Sequence, residues 1–228
     1  MNDDRIPTAL AQYLETSVSV ALAEDVGTGD LTAGLVPEEQ RARARVITRE
    51  DCVVCGQPWF DEVFAQTDAA VTVDWKVDEG DRAAAGDTLC ELRGPARAVL
   101  TGERTALNFL QLLSATATTA RRYVDAVSGT QATILDTRKT IPGLRLAQKY
   151  AVRVGGAENH RIGLYDAILI KENHIAAAGG IGPAVDDATT QGRNVLVEVE
   201  VENLDQLAET LATAAHRVLL DNFSTSGM

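Results

Sequence analysis

Four things are scarce in this 228-residue chain: cysteine, aromatic residues, basic charge and long apolar runs. The three cysteines, Cys52, Cys55 and Cys90, are an odd number and too few for a disulfide framework. Cys52 and Cys55 form a CxxC, but structural zinc needs two further soft ligands at similar spacing, and the sequence offers none. Val53 and Val54 between them read as strand, where positions three apart point to opposite faces. The cysteines are therefore expected as small buried apolar residues. Lys and Arg total 21 against 33 Asp and Glu, a net charge of −12. Such a surface repels a polyanion, so nucleic acid is excluded as the expected partner. No apolar run approaches the roughly 20 residues of a membrane helix. The start, MNDDRIPTAL, is acidic and lacks the apolar stretch of a secretory signal, so a cytoplasmic protein is expected.

What is present is an ordinary globular composition, 45% hydrophobic and 24% charged. That excludes general disorder and gives core enough for one large domain or two small ones. Residues 9–25 read as a helix with Leu10, Leu14, Val18, Ala21 and Leu22 on one face. In the following EDVGTGDLTAG, Gly27-x-Gly29 lacks a third glycine and a preceding strand, so it reads as a turn rather than a dinucleotide fingerprint. From Ala42 to Arg93 the chain is strand-like and broken by turns. VDEGDRAAAGDTLCELRG resembles a small lipoyl-like β module, without the lysine a carrier would need. A long helix is expected over about 102–127.

From Thr130 short apolar strands alternate with helical stretches, the pattern of a parallel sheet or β/α barrel. Four strands are expected: Ala132–Leu135, Ala167–Ile170, Val195–Val201 and Val218–Leu220. The first runs into Asp136, the second into Lys171 and the fourth into Asp221, while the third carries Glu198 and Glu200. Polar residues at the carboxyl ends of successive strands are where such a barrel places its chemistry. Four strands do not close a barrel.

Residues 121–174 reverse the overall charge. Arg121, Arg122, Arg138, Lys139, Arg145, Lys149, Arg153, Arg161 and Lys171 outnumber five acids there, and His160 and His174 join them. A cationic cleft in an acidic protein suggests a small, multiply charged anion, since arginine forks suit carboxylates and phosphates. Arg121, Arg122 and Arg145 read as solvated helix faces. Arg138, Lys139, Arg161 and Lys171, after strands or in loops, read as functional. Glu200 and Asp221 on neighbouring strands could hold Mg²⁺ or a ribose. The period of two gives Glu198 and Glu202 the same face, so spacing alone does not select Glu200.

The run LDTRKTIPGLRLAQKYAVRVGGAENHRIGLYDAILIKENHI resembles the quinolinate phosphoribosyltransferase family. So do EDVGTGDLTA, LTGERTALNFLQLLS, VEVEVENLDQL and LLDNF, in order from about Glu24 to Phe223. The resemblance implies an α/β protein. An N-terminal α/β sandwich over 1–115 would precede an open β/α barrel over 116–228. It implies conversion of quinolinate and phosphoribosyl pyrophosphate (PRPP) to nicotinate mononucleotide, pyrophosphate and CO₂, with Mg²⁺, in de novo NAD synthesis. Arg138, Lys139, His160 and Arg161 then correspond to the quinolinate-site cations, and Lys171 to a contact with both substrates. Arg104 corresponds to a residue entering the partner subunit's site, which implies a homodimer or an assembly built from it. Glu200 and Asp221 correspond to the acidic pair facing ribose and Mg²⁺, directly or through water. Lys139, Lys171, Glu200 and Asp221 are the expected catalytic group.

The family continues past the LLDNF phrase through further strands and a phosphate-binding loop, whereas this sequence ends in FSTSGM, where Ser226-Gly227 comes too early to match the family's Ser-Gly pair. The barrel is therefore expected to be incomplete in this chain. An inactive shortened paralogue that binds a dicarboxylate or regulates a full-length partner is the alternative. A sister phosphoribosyltransferase with another substrate is disfavoured by the intact cation set.

Overall fold

The computed structural model describes residues 8–190 and 195–224. The acidic start and Ser226-Gly227 lie outside these residues. The chain divides into two compact units, the first ending at His160 and the second beginning at Arg161. Residues 1–115 and 116–228 were the expected domains; the long helix that spans residue 115 packs wholly within the first unit.

The first unit begins with α1 (Thr8–Val26). It continues through β1 (Arg41–Ile47), β2 (Cys52–Val53), α2 (Gln57–Thr67), β3 (Thr72–Trp75), β4 (Arg82–Ala83) and β5 (Thr88–Pro95). Then come the 31-residue α3 (Ala96–Ala126) and α4 (Arg145–Val154). β5 is central in an antiparallel sheet ordered β1-β5-β3, and β2 pairs with β4. β1 alternates exposed arginines with inward Ala44 and Val46 because successive side chains face opposite sides. Leu14 and Val18 of α1 join Trp59, Phe60, Val63 and Phe64 of α2 in the core. They meet Phe109, Leu110, Leu113 and Ala117 of α3, which recur at the three-and-four spacing of one helix face.

The strand-like reading of 42–93 missed α2. Its apolar residues fall at i, i+1, i+4 and i+5, a helical period inserted between two short strands. Its start is fixed from a distance: Glu79 accepts the N–H groups of Gly56 (2.8 Å) and Gln57 (3.1 Å). A carboxylate there satisfies donors that the helix leaves open and opposes its dipole. The phrase at 77–94, outside α2, forms β4 and most of β5, with Gly80 and Gly86 at positive φ in its turns. All three cysteines are free thiols; Cys55 and Cys90 are buried and Cys52 is partly so. Burial pushes the Cys90 thiol up to about 12, out of reach of thiolate chemistry.

α4 lies close against α3 because Gly155 ends it. A Cβ at Gly155 would stand 2.5 Å from the Ala117 carbonyl oxygen, so a larger residue would force the helices apart. The expected strand over 132–135 is reduced to a single parallel bridge, Leu135 to Glu158. Two main-chain bonds make it, Asp136 N–H to the Glu158 carbonyl (3.1 Å) and Glu158 N–H to the Ile134 carbonyl (2.9 Å).

The second unit alternates strand and helix: β6 (Ala167–Ile170), α5 (Glu172–Ala178), α6 (Ile181–Thr190), β7 (Leu196–Val201), α7 (Leu204–Leu211) and β8 (Arg217–Leu220). The strands are parallel and ordered β6-β7-β8. Val197, Val199 and Val201 point into a core with Ile181, Val185 and Ile170. Glu198 and Glu200 therefore project from the opposite face. No helix among the described residues is long and apolar enough to cross a membrane.

Candidate active site

In the first unit the cationic phrases are organised by one carboxylate. Asp136 follows the Leu135 bridge, and its own N–H bonds the Glu158 carbonyl at 3.1 Å. Its Oδ1 accepts from Lys149 Nζ at 2.5 Å and from the His160 N–H at 2.8 Å. Its Oδ2 accepts from Asn159 Nδ2 at 2.8 Å. Lys149 also donates to the His160 carbonyl at 3.3 Å. Asn159 Nδ2 reaches the Lys149 carbonyl at 3.0 Å. The lysine side chain is 3% exposed and the aspartate 10%.

The loop carrying Arg138 and Lys139 is tied to α4 at two further points. Arg145 Nε donates to Thr140 Oγ1 at 3.1 Å, and the Ile141 N–H to Gln148 Oε1 at 2.8 Å. Positions 145, 148 and 149 share one helix face by the i, i+3, i+4 rule, so a single face of α4 carries the loop. Within the loop, Thr140 N–H bonds the Arg138 carbonyl at 3.0 Å and Lys139 N–H bonds Thr137 Oγ1 at 3.1 Å. Arg138 is half-buried, and its Nε has no hydrogen-bond partner among the described residues. Lys139 is exposed and His160 half-buried.

Three expectations are corrected here. Arg145 is not a solvated face residue, because it holds the loop. Lys149, counted among the available cations, is neutralised by Asp136. Sequence reasoning missed Lys149 and Asn159 as organising residues. Lys149 stands in an i+4 row with Arg145 and Arg153, which reads as a wet helix face. Arg121 also departs from that reading: its Nε is buried without a partner beside Gly156, which has φ +91. Arg122 is exposed, as expected. Arg104 lies elsewhere in the unit, exposed on α3. It lines a groove of about 820 Å³ with Arg45, Arg49, Glu103, Leu107 and Arg122.

In the second unit the strand register does what spacing could not. Ile170 pairs with Val199, so Lys171, one residue on, comes level with Glu200. Lys171 Nζ bonds both Glu200 oxygens at 2.7 Å. Glu200 pairs in turn with Leu219, so Asp221, two residues on, shares its face. Asp221 N–H continues the ladder to the Val201 carbonyl at 2.9 Å, and Asn222, at φ 58, donates to Asp221 Oδ2 at 2.9 Å. Glu198 is buried deeper on the same face. Glu202 falls beyond the end of β7 and is exposed. Lys171 also starts α5: its N–H bonds His174 Nδ1 at 3.0 Å. Arg161 Nη1 reaches the Ala167 carbonyl at 3.4 Å, and its Nε, like that of Arg138, is buried without a partner among the described residues.

Comparison with known proteins agrees with these phrases. Residues 28–114 match the family described as quinolinate phosphoribosyl transferase, N-terminal domain, and residues 116–228 match its C-terminal domain. The chain belongs to the quinolinate phosphoribosyltransferase family. A probable nicotinate-nucleotide pyrophosphorylase (carboxylating) of Bacillus subtilis is 44% identical over 200 residues, covering 87% of this chain and 69% of that protein. A probable enzyme of the same name from Synechocystis is 40% identical, covering 91% of this chain and 70% of that one. The solved nicotinate-nucleotide pyrophosphorylase of Francisella tularensis is 48% identical, with a TM-score of 0.91 over 97% of this chain and 78% of that one. The α/β architecture is thus that of solved members of the quinolinate phosphoribosyltransferase family.

Proposed function

We propose that this chain transfers the phosphoribosyl group of PRPP to quinolinate, giving nicotinate mononucleotide, pyrophosphate and CO₂ in de novo NAD synthesis. The observation that carries the reading is the Lys171–Glu200 pair at level strand ends, with Asp221 on the same face, in a chain of this family. Quinolinate presents two adjacent carboxylates. Arg138, Lys139, His160 and Arg161 are assigned to them, and the partnerless Nε atoms of the two arginines suit an anionic ligand. Lys171 is assigned to both substrates, and Glu200 and Asp221 to the ribose.

The pyridine nitrogen attacks ribose C1 with its lone pair. The C1–oxygen bond breaks, and its electrons leave with the diphosphate. Positive charge grows on the ribose in between, where a fixed carboxylate such as Glu200 stabilises it. Lys171, released from Glu200, takes up negative charge on the leaving group. The C2–carboxylate bond then breaks, its electrons stay on C2 beside the quaternised nitrogen, and a proton from water fills that position. The residues fit Mg²⁺: Glu200 and Asp221 offer hard oxygen donors, and Mg²⁺ commonly uses one or two carboxylates together with substrate phosphates. When bound, the ion would neutralise the diphosphate. Arg104 is assigned to the site of a partner subunit, making the protein a homodimer, and the cytoplasm is its compartment.

Quinolinate labelled with ¹³C in its C2 carboxyl, supplied with PRPP and Mg²⁺, should yield labelled CO₂ and unlabelled nicotinate mononucleotide. Product retaining the label, or no product from folded protein, would overturn the reading.

A further inference from the structure

We infer that Asp136, Lys149 and Asn159 form a positioning node that holds the Arg138–Lys139 loop and the Asn159–His160 segment at a fixed separation. None of the three needs to touch a ligand for this. Lys149 is 3% exposed and commits its ammonium to Asp136 and to the His160 carbonyl. Its charge is cancelled and its reach spent. Asp136 is the point where the segments join. Its main chain is bonded to Glu158, two residues before His160, and its carboxylate takes the His160 N–H and the Asn159 amide. Arg138 is two residues from Asp136, and Arg161 is the residue after His160. A displacement of the Asp136 carboxylate therefore carries both cationic phrases with it.

The choice of a charged pair supports positioning over mere stability. Two buried charges lose hydration that their attraction barely returns, and apolar residues of similar volume usually serve folding as well. An apolar pair, however, has nothing with which to hold the His160 N–H and carbonyl at the same time. A carboxylate and an ammonium side by side do both. The node also keeps the local charge count right: without Lys149 the buried carboxylate would stand uncompensated among cations meant for a dicarboxylate.

The ligand-binding half of this inference rests on the proposed function; the mechanical half does not. Both are tested on Lys149→Met by hydrogen exchange and by calorimetry with quinolinate. Amide exchange read in the local-opening regime, at times short of global exchange, should speed up by roughly tenfold or more in segments 136–140 and 158–161 together, and by less in segment 41–95. Quinolinate affinity should fall by about tenfold or more, since small displacements of binding groups are costly, while PRPP affinity stays the same. Asn159→Ala removes one bond from the same carboxylate and should give both changes at about threefold to tenfold. It carries the test if Lys149→Met does not fold. Loosening of one segment alone, of the whole unit to the same degree, or of neither would overturn the node. So would wild-type quinolinate affinity in a folded variant. A wild-type protein that binds no quinolinate would sink the functional reading, and the exchange arm would still decide the node.

Discussion

The two units each contain a lysine–carboxylate pair, and the pairs differ in everything except their chemistry. Lys149 and Asp136 are 3% and 10% exposed, with the carboxylate further bonded to a main-chain N–H and a side-chain amide. Lys171 is 42% exposed, and the Glu200 carboxylate, 13% exposed, is bonded at both oxygens by that one lysine. Opening the first pair strands a charge in a medium that solvates it poorly. Opening the second returns an exposed ammonium to water and leaves only the carboxylate mostly enclosed, so it costs less than opening a pair enclosed on both sides. Burial and the number of secondary partners thus decide whether the same two groups serve as structure or remain free to exchange for a ligand. An ion pair that reacts must be cheap to break.

The comparison breaks first on stability. Lys149→Met should lower the unfolding free energy by about 3–5 kcal/mol, read by denaturant titration, because it leaves a buried carboxylate unpaired. A loss under about 1 kcal/mol would mean that the pair is not buried in solution. Next comes Lys171→Met, which should reduce turnover by about 100-fold to 1,000-fold while lowering stability by less than Lys149→Met does. A comparable loss of stability in both variants would erase the distinction. The smallest effect concerns Asp166, a carboxylate held without a lysine. Burial alone would push its carboxyl up, but the N–H groups of Ile162 (2.7 Å) and Gly163 (3.2 Å) outweigh this and hold it below its usual range. A depressed carboxyl stabilises the fold above the unfolded value and loses that effect as pH falls through the folded one. Asp166→Ala should therefore cost about 1 kcal/mol at pH 7, and the difference from wild type should shrink below about pH 4. A difference independent of pH would assign the loss to packing.

The two units were not equally legible. β6 occupies the residues that its apolar run marks, because a short buried strand between polar ends has few competing readings. α1 and α3 follow from their helical periods. Residues 132–135 carry a strand-like pattern, yet a strand exists only with a partner, and Glu158 offers a single bridge. α2 was hidden because its neighbours are strands and its N-terminus is capped by Glu79 from a distant loop. Among site residues, the positions after strands were visible as isolated polar ends of apolar runs. Glu200 could not be separated from Glu198 and Glu202 by spacing, since the deciding fact is its register against Lys171, a property of two strands rather than one. Lys149 was least legible: nothing local distinguishes a buried lysine from Arg145 and Arg153 on the same helix row.

Lys76, Lys139, Lys149 and Lys171 are the only lysines in the chain, so one labelled preparation separates the two pairs. The most direct measurement is quinolinate titration of protein carrying ¹³Cε-labelled lysine, read by NMR and assigned by single Lys→Arg variants. The account predicts that the Lys171 and Lys139 signals move with saturating dependence on quinolinate while Lys149 stays in place. A Lys149 signal that moves as far as that of Lys171, or a Lys171 signal that does not move, would contradict it.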